Sequence, residues 1–99
     1  MTISTQREGK QLTIIPEGRI DTYTAPAFQE KLEAELGDAE ALVIDFEKVD
    51  YISSAGLRIL LTYAQKMEER GGSIKAVGVS EMIRKVFDLT GFIEILNID

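Results

Sequence analysis

The chain has no cysteine, no histidine and no tryptophan, and only two prolines in 99 residues. Without cysteine there are no disulfides and no thiol chemistry, and zinc sites built from Cys or His are excluded. Without histidine the commonest general base at neutral pH is missing, and a Ser-His-Asp triad cannot be assembled. Long apolar runs are absent too. None approaches the roughly 20 residues that span a bilayer, and no basic segment leads into an apolar one as in a secretory signal. A cytoplasmic protein with no membrane insertion is expected. Positive charge is in short supply: 11 Lys and Arg stand against 17 Asp and Glu, a net charge of −6. That balance argues against nucleic acid, whose phosphates need a basic footprint. It suits a basic protein partner or simple solubility.

What is present is enough for one small domain, residues 1–99, with 44% hydrophobic residues to fill a core. Residues 2–8 and 11–20 read as strands around a turn at Glu8-Gly9-Lys10, an antiparallel hairpin. Thr24 as N-cap and Pro26 in the first turn open a helix whose stripe is Phe28, Leu32 and Leu36 and whose stop is Gly37. The run 41–46 suits a strand buried on both faces. A second helix spans about 54–70 with Leu57, Leu60, Leu61, Ala64 and Met67 as its apolar face, ended by Gly71-Gly72. Residues 73–79 read as a strand. Ser80 caps a third helix with Met82, Ile83, Val86 and Phe87 as apolar positions, and Phe92–Leu96 reads as a last short strand. The alternation gives an α/β fold: a mixed, mostly parallel sheet of about five strands with an N-terminal antiparallel hairpin, packed with three helices on one or both faces.

Chemistry is concentrated in two loops. Ser53-Ser54-Ala55-Gly56 stands where a strand yields to a helix. A serine there can cap the helix, and a phosphate there is favoured by free N–H groups and the helix dipole. Gly56 costs about 1 kcal/mol of helix propensity against alanine, which points to a close approach. Gly18 to Thr24 closes a strand and opens a helix, and strand-to-helix loops of a parallel sheet gather at one end, so Asp21 and Ser54 are expected to be neighbours. Asp45, Glu47 and Asp50 could in principle bind Mg²⁺ but suit solvated loop positions better. No Gly-rich phosphate loop is present.

Three motifs together resemble the STAS domain of bacterial anti-sigma factor antagonists. They are Gly18-Arg19-Ile20-Asp21; Val43 to Phe46 followed by Val49-Asp50-Tyr51-Ile52-Ser53-Ser54-Ala55-Gly56-Leu57; and Gly71-Gly72 followed by Ile83 to Phe92. The resemblance runs from about Thr13 to Leu96. It implies a non-enzymatic regulator without a cofactor of its own. By register Ser54 is the implied phosphoacceptor, with Ser53 as second choice. The implied partners are an anti-sigma factor serine kinase, which uses ATP and Mg²⁺, and a PP2C-type phosphatase. The unphosphorylated protein would bind the kinase and free a sigma factor. The implied partner surface comprises Asp21, Thr22, Tyr23, Thr24, Tyr51, Ser53, Ser54, Ala55, Gly56 and Arg58, on a monomer or weak dimer. Many relatives continue into a further helix beyond the position of Asp99. The alternative is an accessory subunit docking on another cytoplasmic ATPase, such as a lipid-transport complex, without phospho-switching.

Overall fold

The computed structural model describes residues 1–99. Strands β1 (Thr2–Glu8) and β2 (Gln11–Ile20) form the expected antiparallel hairpin. Helix α1 (Ala25–Leu36), strand β3 (Ala41–Asp45), strand β4 (Val49–Ile52), helix α2 (Ser54–Glu69), strand β5 (Ser73–Val77) and helix α3 (Glu81–Thr90) follow. A one-turn helix α4 (Phe92–Ile95) and a two-residue strand β6 (Asn97–Ile98) end the chain. The sheet order is β1-β2-β3-β5-β6, every pair but the first parallel, with β4 also parallel to β2.

The buried strand residues, such as Leu12, Ile14, Leu42, Ile44, Ile74 and Ala76, share one face of the sheet. Their neighbours of opposite parity, Thr13, Val43 and Lys75, are half-buried. The helices therefore cover a single face, and β3 alternates instead of being buried on both. Phe28 and Leu32 of α1, Leu60, Tyr63 and Met67 of α2, and Phe87 of α3 complete the core. Phe87 meets Phe46 edge-on at 5.6 Å between centroids.

Six strands and four helices replace the expected five and three. Strand β4 has the burial pattern buried-exposed-exposed-buried, so it carries no two-residue alternation to announce it. It exists because β2 is ten residues long and outruns β3. A register shift between Gly18 and Arg19, with Gly18 at φ +96°, lets β2 take up β4 as a second parallel neighbour. Residues 92–95 are helical where a strand over 92–96 was expected. Gly91 turns left-handed at φ +79°, and the Leu96 N–H donates to the Phe92 carbonyl at 2.8 Å. One helical turn then sends both Phe92 and Leu96 into the core.

Helix faces are rotated slightly from expectation. On α2 Ile59 and Tyr63 are buried, while Leu57 is half-buried and Leu61 exposed. On α3 Met82 is 62% exposed rather than packed. Strand β5 stops at Val77, two residues short of the expected end.

Candidate functional site

Strands β2 and β4 run parallel and end side by side at Ile20 and Ile52. The Ser53 N–H donates to the Ile20 carbonyl at 2.8 Å, which ties the start of α2 to the loop before α1. Gly56 permits this seating. A Cβ there would lie 2.7 Å from Ile20 Cγ2 and 2.7 Å from Ile52 Cγ1. The close approach read from the sequence is thus a contact inside the fold, and Gly56 is buried.

The 21–24 loop is held from within. Asp21 Oδ1 accepts the N–H of Tyr23 at 2.9 Å and of Thr24 at 3.1 Å, an Asx turn. Thr24 was expected to cap α1, yet its backbone is already helical and its hydroxyl makes no capping bond. That hydroxyl instead accepts the Asp21 N–H at 2.8 Å and donates to the Arg19 carbonyl at 2.6 Å. The Thr24 N–H, then the Tyr23 N–H, the Thr24 hydroxyl and Arg19 hold the Asp21 carboxyl below the usual carboxylate range, against the opposing cost of lost water. Tyr23 is pushed outward, 91% exposed, and Thr22 is exposed beside it.

Arg19 belongs to this end of the sheet as well. Its guanidinium lies 4.2 Å over the Tyr51 ring and 3.7 Å from an Asp21 oxygen. The pairing of Arg19 with Tyr51 follows from the β2–β4 register. Because strand β4 left no sequence signal, this contact could not be read beforehand.

The two serines differ. Ser53 has extended N-cap geometry, φ −96° and ψ 176°, but makes no capping bond. Its Oγ is buried without any hydrogen-bond partner. Ser54 is exposed at the first position of α2. Leu57 supplies the first N–H of this helix with an acceptor, the Ser53 carbonyl at 3.0 Å. The N–H groups of Ser54, Ala55 and Gly56 point to the end of the helix unbonded. Helix α3 is finished differently, with Ser80 Oγ accepting the Ile83 N–H at 3.2 Å as expected. Arg58 is exposed one turn into α2, and Ala55 is half-buried. Asp45 is committed to a turn, accepting the Glu47 N–H at 2.9 Å. A groove of about 610 Å³ lies elsewhere, between the later turns of α2, the start of β5 and residues 94–97.

A single mixed sheet with helices on one face, and a serine at an open helix start beside the loop before the first helix, define a STAS-type domain. The STAS domain family model matches residues 2–99, and the chain belongs to that family. Among its relatives it is similar to the anti-sigma-B factor antagonist of Bacillus subtilis (strain 168), 35% identical over 82% of this chain and 74% of that one. It is also similar to the anti-sigma-B factor antagonist of Listeria monocytogenes, 30% identical over 94% of this chain and 82% of the other. The crystal structure of an anti-sigma factor antagonist from Mycobacterium paratuberculosis superposes with a TM-score of 0.87 at 28% identity, covering 98% of this chain and 83% of that chain.

Proposed function

We propose that this protein is an anti-sigma factor antagonist controlled by phosphorylation of Ser54. Unmodified, it binds an anti-sigma factor serine kinase through the 21–24 loop, Tyr51, the 53–56 segment and Arg58, and so releases a sigma factor. Phosphorylation ends the complex, and a PP2C-type phosphatase restores it. The protein acts by binding rather than by catalysis, in the cytoplasm. The names of its relatives support the antagonist role. No helix of the structure is long and apolar enough to cross a membrane.

The observation that carries the phospho-switch is the unfinished start of α2. Ser54 is exposed there, the N-cap hydroxyl is turned inward, and the first N–H groups are unbonded. A phosphate on Ser54 brings about −1.5 to −2 charges to the positive end of its own helix, where an anion is favoured. Buried against a partner, the same charge would cost several kcal/mol if left unpaired. The buried Oγ of Ser53 supports Ser54 as the acceptor.

Incubation with ATP, Mg²⁺ and the anti-sigma kinase of its own host, followed by mass spectrometry, tests this. One phosphate on wild type and on Ser53→Ala, and none on Ser54→Ala, is expected. Phosphate retained by Ser54→Ala would move the site, and a wild-type chain that neither binds nor is modified would overturn the reading.

A further inference from the structure

Arg58 follows Ser54 by four residues, one turn along α2, so the two side chains share a face. Side chains of a helix lean toward its N-terminus, so a long side chain at position 58 can reach the one at position 54. Both residues are exposed. Arg58 makes no ion pair, no side-chain hydrogen bond and no aromatic contact; only its backbone carbonyl is used, by Thr62. Arg19, on β2 beside this site, is engaged by Asp21 and Tyr51. Of the elements that adjoin α2 and β4, α1 carries Glu30, Lys31, Glu33 and Glu35 and α3 carries Glu81, Arg84, Lys85 and Asp88, none of them paired with Arg58; the loop before α1 and strand β4 add the Asp21 carboxylate and the exposed Asp50. Both would repel an added anion, and neither holds Arg58.

We propose that Arg58 is the internal counter-ion of a phosphate on Ser54, holding it along the first turn of α2. The proposal rests on Ser54 as the modified residue. The unmodified domain presents a free guanidinium to a partner. The phosphorylated domain presents an anion whose nearest cation is already occupied by it, so modification withdraws a positive charge from the face as it adds a negative one.

The test installs phosphoserine at position 54 during synthesis of the full chain, so no kinase is needed. A ³¹P NMR titration then gives the second phosphate pKa, ordinarily near 6. In Arg58→Gln it should rise by about 0.2–0.4 unit relative to wild type at low salt, the size of an exposed pair one helical turn apart. Arg58→Lys should restore most of the shift, and high salt should erase it. Lys85→Gln, which removes an exposed cation on α3, should leave the pKa in place. Equal titration curves for wild type and Arg58→Gln would overturn the proposal, and so would an equal rise in Lys85→Gln. Failure of the kinase to modify Ser54 would instead count against the phospho-switch itself while leaving this titration readable.

Discussion

Ser53 and Ser54 carry the same side chain one position apart, and the fold gives them opposite surroundings. The Ser53 hydroxyl is buried without a partner, while Ser54 stands in solvent over unbonded N–H groups. Gly56 decides how close this pair comes to the sheet. In Gly56→Ala the new methyl would press on the inner carbons of Ile20 and Ile52, both held in the core. Such overpacking costs about 1–3 kcal/mol, against a helix-propensity gain of up to about 1 kcal/mol. A net loss in urea melts is expected. A variant as stable as wild type would mean that the helix can lift from the sheet at little cost, and that the site is less rigid than its contacts indicate.

Helices α2 and α3 begin alike in sequence, each with a serine before the first turn, but only α3 is capped. Ser80→Ala removes a bond to the Ile83 N–H and should cost about 1 kcal/mol. Ser53→Ala removes an orphaned hydroxyl, so it should be neutral or stabilising. Parallel denaturation curves of the two variants check this contrast, and an equal loss in both would show that Ser53 caps α2 in solution. The difference has a functional sense under the proposed switch. A capped helix start offers its donors to its own side chain, whereas an open one keeps them for an incoming phosphate.

At the scale of the whole molecule, 24 buried apolar residues form one contiguous core beneath a single sheet face. Ser54 lies outside it. A charge placed there meets solvent and the start of its own helix, with no core contact to break. The switch should therefore act on the partner and leave the fold unchanged. In Ser54→Asp, backbone amide shifts should be confined to about residues 19–24 and 50–60. Widespread changes in β5 and α3 would show instead that the modification reorganises the domain.

Elements with a strong repeat or a clear stop were legible in the amino-acid sequence: the hairpin around Gly9, the Phe28-Leu32-Leu36 stripe of α1, the long α2 and the Ser80 cap. So were the two loops that meet at the site, because alternating strands and helices place such loops at one end of the sheet. Three features were decided only by tertiary structure. Four residues without alternation became β4 because β2 had unpaired backbone to satisfy beyond β3. Residues 92–95 became a helical turn because a turn buries Phe92 and Leu96 and leaves Glu94 exposed, where a strand would put all three on one face. The stacking of Arg19 on Tyr51 and the inward turn of the Ser53 hydroxyl depend in turn on where β4 runs. Local sequence sets which residues can start a helix; the neighbouring strand sets which serine is left for solvent.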